Sequence, residues 1–404
     1  MKKIWGKLKE ENKILIMLAL FSMSTGLWKN FNQLWMQQNG LEVQSISQIL
    51  SVATLLCAFC ILLFAKKIGV SKIQKFLLVA LLAKLINLCI LYVLHQSENL
   101  FWIGIFVITD VIIEKLITIS IYPFIVTIKK EDTLYSKRKL VEYLFKDLGI
   151  LIGGLCIGRT IGFLLIDYNT CLLLSILLLL VTVWVMDSIK QQKAIQEKEI
   201  TIKQVASYVL KDNILKVYMV CYFVANIAMS TGLGLKMLML TNLFHFTDSG
   251  ATNYLLFVGL AADLFGILAL KILMPKNDYI TITIKFGIRF LLYSISFFTN
   301  NVAFALLAIT WSIFISTAYE NISDAPYINR VPNDYQLIFT DFRYMIGMLS
   351  TSLGMFFAGI MYPYGVTAIL GLSAFFMVFQ LLLCYVLVYM RKKEKRMEQI
   401  YGNI

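Results

Sequence analysis

The sequence predicts an all-α membrane protein with twelve transmembrane helices in two six-helix halves. Three observations support this fold class: 59% of the 404 residues are hydrophobic, only 15% are charged, and apolar runs of spanning length recur along the whole chain. Soluble domains average about 45–50% apolar and about 25% charged residues. The composition therefore disfavours a soluble enzyme, a disordered protein and a nucleic-acid-binding protein.

Each predicted span is a mostly apolar run of about 20 residues or more, the length that crosses a bilayer core of about 30 Å. Backbone polar groups cannot stay unpaired in lipid, so runs this long and apolar are predicted to be helices. The predicted spans are 13–37, 47–65, 73–95, 100–127, 140–166, 171–189, 215–242, 252–273, 279–299, 302–325, 338–361 and 365–390.

Among the connections between the spans, only alternate ones contain basic residues. Lys and Arg occur at the N-terminus and around 66–72, 129–139, 190–211, 276, 330 and 391–396; they are missing around 38–46, 96–99, 167–170, 243–251, 300–301 and 362–364. By the positive-inside rule the basic set is cytoplasmic. Both termini are therefore predicted to be cytoplasmic, and the net charge of +13 requires no nucleic-acid partner.

The longest charged interruption, 190–214, is interpreted as a cytoplasmic linker between an N-terminal half, 1–189, and a C-terminal half, 215–404. An internal repeat supports this division. The sequence Met-Ser-Thr-Gly-Leu occurs at 23–27 and again 206 residues later at 229–233. Lys29 and Lys236 follow the two copies, so the halves are predicted to be related in structure.

Two glycine-containing segments carry further information. Gly69, in the loop after the second span, follows the basic Lys67, and Lys66 precedes both. In the fifth span, Gly149, Gly153, Gly154 and Gly158 form a glycine-rich run. Small residues at this spacing let helix backbones approach closely, so packing alone would explain the run.

The two halves, the cytoplasmic termini and the long central loop resemble the major facilitator superfamily of secondary transporters. The 62–72 loop is similar to the family's signature G-x-x-x-D-R/K-x-G-R-R/K at Lys67 and Gly69, but Lys66 replaces the gating aspartate. The glycine run looks like the family's antiporter motif G-x-x-x-G-P-x-x-G-G, with Gly154 in place of proline. This resemblance implies a transporter that works by alternating access, and it favours export.

Charged residues within the spans are the candidate functional residues, because a charge in lipid is costly unless it faces a cavity or a partner. Asp110 lies about 15 Å from the outer end of the fourth span, and Glu114 follows one turn later on the same face. A carboxyl group removed from water binds a proton more readily. Asp110, Glu114, Asp263 and Glu320 are therefore the proton-coupling candidates.

Polar and cationic residues of the spans are the candidates for lining a substrate cavity. This set consists of Trp28, Lys29, Asn32, Lys84, Lys115, Arg159, Lys236 and Arg289. An alternative remains open, in which these charges form structural ion pairs between helices. Examples are Lys84 or Lys115 with Asp110 or Glu114, and Arg289 with Asp263.

No metal-spaced, His-rich or nucleophile–base cluster occurs in the sequence, and no ATP-binding loop GxxxxGK[ST] is present. We therefore expect no enzymatic activity, no metal and no cofactor. The predicted function is proton-coupled export of a small organic or amphipathic compound by a monomer in the plasma membrane of a bacterium. The alternatives are uptake of a metabolite, transport of a lipid or lipid-linked compound, and a non-transporting receptor or scaffold.

The topology can be tested by thiol labelling in a background without native cysteines. Ser97→Cys should react with an impermeant thiol reagent added outside, and Thr133→Cys should react only when the cytoplasmic side is accessible. The reverse pattern would contradict the positive-inside assignment.

Overall fold

The computed structural model describes residues 9–29, 31–64, 73–95, 99–128, 132–156, 160–161, 164–165, 167–189, 201–272, 282–319 and 325–401. The chain forms two compact units, which are Met1–Lys198 with Leu240–Leu256, and Glu199–Met239 with Phe257–Ile404. The units follow the order of the predicted halves, with Leu240–Leu256 packed in the first unit. Ser249 explains part of this packing, since its hydroxyl donates to the carbonyl oxygen of Gly154 at 2.9 Å.

The described part of the first half is helical apart from an antiparallel pair of two-residue strands. Its elements are α1 Glu10–Lys29, α2 Asn32–Gln38, α3 Val43–Phe64, α4 Ile73–Leu94, α5 Leu100–Ile128, α6 Asp132–Cys156, β1 Thr160–Ile161, β2 Leu164–Leu165 and α7 Tyr168–Asp187. The fifth predicted span, 140–166, thus differs from the structure, where the helix starts earlier and ends at Cys156. Gly149, Gly153 and Gly154 all lie within this helix, and residues 157–159 are outside the described part of the chain.

The second half is also helical in its described part. Its elements are α8 Ile202–Lys211, α9 Asn213–Leu233, α10 Lys236–Leu238, a π-helical turn Met239–Leu243, α11 Asp248–Ile272, a π-helical turn Thr283–Gly287, α12 Ile288–Thr299, α13 Val302–Tyr319, α14 Ala325–Ile328, α15 Asn333–Met361, a 3₁₀ turn Tyr362–Tyr364 and α16 Val366–Tyr401. Helix α8 lies in the predicted linker. It begins with a capping box formed by Thr201 and Gln204.

Seven helical segments of the described chain are long and apolar enough to cross a membrane. They are Glu10–Gln38, Val43–Leu63, Ile73–Leu94, Tyr168–Asp187, Asn213–Leu243, Ile338–Tyr364 and Val366–Glu394. Helices α5, α6, α11, α12 and α13 cover the other predicted spans. The all-helical membrane class is therefore confirmed. The count of twelve spans and the cytoplasmic termini stay predictions.

The two units repeat the same arrangement of neighbouring helices. Helix α1 packs against α6 and α7 in the first unit, and α9 packs against α15 and α16 in the second. Likewise α4 packs on α5, and α12 packs on α13. Each unit therefore surrounds its repeated Met-Ser-Thr-Gly-Leu sequence with helices in equivalent positions.

The repeated sequence lies where helix backbones touch. A Cβ atom at Gly26 would overlap the carbonyl oxygen of Lys146, and one at Gly149 would overlap that of Met23. In the second unit, a Cβ atom at Gly354 on α15 would clash with the carbonyl oxygen of Ile227 on α9. Glycine is required at these contacts because any side chain would force the two helices apart.

Arg330 links several helices at one end of the second unit. The positive-inside rule predicts that this end is cytoplasmic. The Arg330 guanidinium bonds to Asp212, which caps α9, and to both carboxylate oxygens of Glu394 at 2.6 Å. Hydrogen bonds to Glu394, and then to Asp212, hold the pKa of Arg330 above its ordinary value. This cluster joins the starts of α9 and α15 to the end of α16.

The backbone contact at Gly26 can be tested by one methyl group. Gly26→Ala should destabilise the protein by about 1–3 kcal/mol, as overpacking does, and lower its melting temperature. Gly259→Ala on α11 is the matched control, because a Cβ atom there meets nothing within 4 Å. An equal effect of the two substitutions would refute the close contact of α1 with α6.

Candidate functional site

A buried lysine joins two acids in the first unit. Lys84 Nζ on α4 lies 2.8 Å from Asp110 Oδ1 and 3.4 Å from Glu114 Oε2 on α5. Lys84 is 1% exposed, and both acids are buried. One helical turn separates the two acids, so a single ammonium group reaches both. Asp110 and Glu114 thus lie on one face of α5, as their four-residue spacing predicts.

Two residues of α1 complete this charge network. Trp28 Nε1 donates to Asp110 Oδ2 at 3.0 Å, and Lys29 Nζ donates to Glu114 Oε1 at 2.8 Å. Each carboxylate thus receives one hydrogen bond from α4 and one from α1. The network, defined as Trp28, Lys29, Lys84, Asp110 and Glu114, therefore holds three helices together.

The network balances two lysines against two carboxylates. Opposite charges at 2.8 Å in a low-dielectric interior attract strongly, and this attraction offsets the cost of removing them from water only when the geometry is good. Removing one member leaves a buried charge without compensation. Lys115, the next residue on α5, is half-buried and carries a further positive charge beside the network.

Aromatic packing positions the α1 end of the network. The ring of Trp28 meets that of Trp35 edge-on, with 5.4 Å between their centroids. Trp35 in turn donates to Asn169 Oδ1 at 2.9 Å. Asn32, a cavity candidate from the sequence, is buried at the start of α2. Trp28, Asn32 and Trp35 in the outer half of the first span thus face protein within their unit.

A second buried cation lies in the other unit. Arg289 on α12 is 3% exposed and donates from Nη2 to Gln380 Oε1 on α16 at 3.2 Å. Within the described chain its Nε has no hydrogen-bond partner, and the same holds for the hydroxyls of Tyr293, Ser296 and Ser312. Arg289 also lies over the ring of Phe286, 5.7 Å from its centroid. This cation therefore has polar and aromatic neighbours.

The structural comparisons identify the fold. Three transporters of solved structure are similar over nearly the whole chain. The human organic anion transporter MFSD10 (TETRAN) has a TM-score of 0.63 and 11% identity over 94% of this chain and 100% of its own. The nucleoside transporter NupG has a TM-score of 0.66 and 13% identity over 95% and 100%. A variant of the E. coli fucose:proton symporter FucP has a TM-score of 0.57 and 12% identity over 93% and 98%.

The chain has the major facilitator fold. No protein-family model matches its sequence, and no curated protein matches it either. The likeness therefore concerns the arrangement of helices, which is that of membrane transporters.

Glycines of the antiporter-like run serve as packing positions in this major facilitator fold. Gly149 contacts the backbone of α1, and Cβ atoms at Gly153 and Gly154 would overlap Phe31 and Thr252, respectively. These contacts give each of the three glycines a steric role in the first unit. They are compatible with the interpretation of the run as a helix-packing segment.

Several predicted site residues lie outside the described residues or side chains. They are Gly69, Gly158, Arg159, Glu320 and the side chain of Asp263. Lys236 is half-buried at the start of α10. Among the described residues no group of three or more His, Cys, Asp or Glu could hold a metal ion.

Sequence analysis missed two polar residues around Arg289. Gln380 is an amide in an otherwise apolar span, a signal that could have identified it. Tyr293 had no such signal, because tyrosines are common at membrane surfaces and its burial depends on the packing of α12.

Substitution of the central lysine tests the network. Lys84→Met should strand two buried carboxylates and destabilise the protein by about 3–5 kcal/mol, as removal of one partner of a buried pair does. Lys29→Met is the matched control, because the Lys29 side chain is 41% exposed. Its loss should cost less than that of Lys84, because Glu114 keeps its contact with Lys84 and Asp110 keeps both of its partners.

Thermal unfolding of both variants provides the measurement. Adding Asp110→Asn to Lys84→Met should restore part of the lost stability, since it removes one of the stranded charges. Equal melting temperatures for Lys84→Met and Lys29→Met would contradict the central role of Lys84.

Proposed function

We propose that this protein is a proton-coupled secondary transporter that exports a small organic or amphipathic compound by alternating access. The observation that carries the proposal is the position of Glu114. Its carboxylate joins Lys84, which is 1% exposed, to Lys29, which is 41% exposed. An acid placed between a buried cation and one at the surface of its unit can exchange a proton when its surroundings open to water.

Protonation of Glu114 would change the contacts of α1. The neutral carboxyl group no longer attracts Lys29 or Lys84 as an anion, so the link between α1 and α5 weakens. Asp110 keeps its bonds to Lys84 and Trp28 during this change. Within the network, Glu114 is therefore the proton carrier, and Asp110 keeps Lys84 charged and in place.

This division of roles suits coupled transport. Proton binding releases one helix contact while the Lys84–Asp110 pair maintains the helix packing. A conformational change that depends on the charge of Glu114 would link movement of a proton to movement of the substrate. Among the similar structures, FucP is described as a fucose:proton symporter.

Export is proposed from the glycine-rich segment, which is similar to the antiporter motif. The cationic candidates outside the network are proposed to contact substrate; they are Lys115, Arg159, Lys236 and Arg289. In the C-terminal half, the proton-coupling candidates remain Asp263 and Glu320. The expected partners are the lipid bilayer, the substrate and protons. A monomer in a bacterial plasma membrane remains the expected state.

Glu114→Gln tests the proton carrier. This substitution removes the titratable group and leaves the 2.8 Å Lys84–Asp110 pair in place, so the fold should persist. Uphill transport driven by a proton gradient should fall to background in proteoliposomes, while exchange of substrate across the membrane continues. The assay requires a substrate first found by scanning a compound panel with the wild-type protein.

Glu42→Gln is the control for this experiment, because Glu42 is an exposed acid before α3. It should pump as the wild type does. A Glu114→Gln protein that is stable and still pumps uphill would overturn the assignment. Wild-type flux that is independent of the proton gradient would overturn proton coupling as a whole.

A further inference from the structure

The charge network of the first unit has a partial counterpart in the second. Arg289 follows Lys84 by 205 residues, and Ser316 follows Asp110 by 206. The repeated Met-Ser-Thr-Gly-Leu sequence has the offset 206 as well. Helices α12 and α13, which carry Arg289 and Ser316, pack on each other as α4 and α5 do. Arg289 is therefore the sequence counterpart of Lys84, on the helix equivalent to α4.

The counterpart differs in charge at one position. Where the first unit has the carboxylate of Asp110, the second has the hydroxyl of Ser316, which contacts Met229 Sδ at 3.7 Å. Arg289 has no carboxylate within 4.0 Å in the described part of the chain, and its hydrogen bond to Gln380 involves a neutral amide. The second unit thus has a buried cation and a hydroxyl where the first has Lys84 and Asp110, whereas Glu320, which follows Glu114 by 206 residues, lies outside the described residues.

The groups around Arg289 are hydrogen-bond donors. Arg289, Tyr293 and Ser296 follow at i, i+4 and i+7 on one face of α12, and all three are buried there. The Tyr293 and Ser312 hydroxyls are close enough to interact, but neither has a partner with hydrogen-bond geometry among the described residues. A guanidinium with nearby hydroxyls suits an anion.

Gly232 of the repeated sequence leaves space that the Tyr293 side chain fills. A Cβ atom there would lie 2.9 Å from the Tyr293 hydroxyl oxygen and 3.0 Å from Ser373 Oγ. The glycine therefore lets the tyrosine hydroxyl enter the space between α9 and α16. The polar groups of α12 consequently face the interior of the unit.

We propose that Arg289 binds an anionic group of the transported compound, so that the substrate class is organic anions with a carboxylate. The substrate supplies the negative charge that Asp110 supplies in the first unit. A carboxylate matches the planar guanidinium with two parallel hydrogen bonds. This inference rests on the proposed transport function. The competing explanation is that Arg289 pairs with Asp263 or Glu320, whose side chains lie outside the described part.

The binding test uses benzoate and its neutral analogue benzamide as probes on the purified full-length protein. Benzoate should raise the melting temperature of the wild type, and benzamide should not, because only benzoate carries the charge. Arg289→Gln should lose the response to benzoate. A missing benzoate response, an equal benzamide response or a wild-type response of Arg289→Gln would overturn the proposal.

Ser316→Asp is the second variant, and it restores the acid of the first unit. Its carboxylate should neutralise Arg289 within the protein, so the melting temperature should rise without ligand and the benzoate response should disappear. Retention of the full benzoate response in this variant would contradict the proposal. Ser316→Asn, which is similar in size and uncharged, is the matched control and should respond to benzoate.

Stability measurements separate the proposal from internal pairing. If Arg289 has no acidic partner, Arg289→Gln keeps or raises the melting temperature, and neither Asp263→Asn nor Glu320→Gln lowers it. A drop for Arg289→Gln together with a similar drop for either acid variant would overturn the proposal in favour of a structural ion pair.

Flux measurements in proteoliposomes distinguish this inference from the proposed function. Transport of neutral or cationic compounds without any anion would refute the anion site and leave transport intact. An Arg289-dependent benzoate response without flux of any compound would refute transport and leave the anion site intact.

Discussion

The sharing of one buried ammonium group by two carboxylates constrains the first unit. A lysine in an apolar bundle must lie within hydrogen-bonding distance of acids, or its charge would be too costly to bury. Lys84 meets this requirement only if α4 and α5 keep their rotation and depth relative to each other. The bonds from Trp28 and Lys29 extend the constraint to α1.

Close backbone packing makes this arrangement possible. Gly26 and Gly149 let the backbones of α1 and α6 touch. Gly26 lies within one turn of Trp28 and Lys29, which bond to the two acids. The same packing principle recurs at Gly354 in the second unit, where α15 meets α9. Both units thus have close backbone contacts at glycines, but they differ in charge, since Ser316 is the counterpart of Asp110.

Much of the fold follows from the sequence because the bilayer leaves few choices. Long apolar runs must be helices, so each of the predicted spans overlaps described helices over more than half of its length. The predicted span 140–166 extends past the helix, which ends at Cys156, because an apolar run does not distinguish a helix from the short strands Thr160–Ile161 and Leu164–Leu165. The sequence limited the acidic partners of Lys84 to Asp110 and Glu114. It could not predict which of the two acids Lys84 contacts, since that depends on how α4 and α5 are rotated. Trp28 was predicted only as a cavity residue, because its bond to Asp110 depends on how α1 is rotated toward α5.

The unequal exposure of the two lysines has a consequence for ionic strength. Mobile ions screen charges that contact water over about 8–10 Å in physiological salt, but they reach a buried pair poorly. In a conformation that opens this side of the unit to water, the bond from Lys29 to Glu114 would lie partly in reach of these ions, whereas the bond from Lys84 to Asp110 would not. Rising salt would therefore loosen α1 from α5 while the core pair stays intact. The electrolyte content of the surrounding solution would thereby adjust how readily α1 moves, independently of any proton.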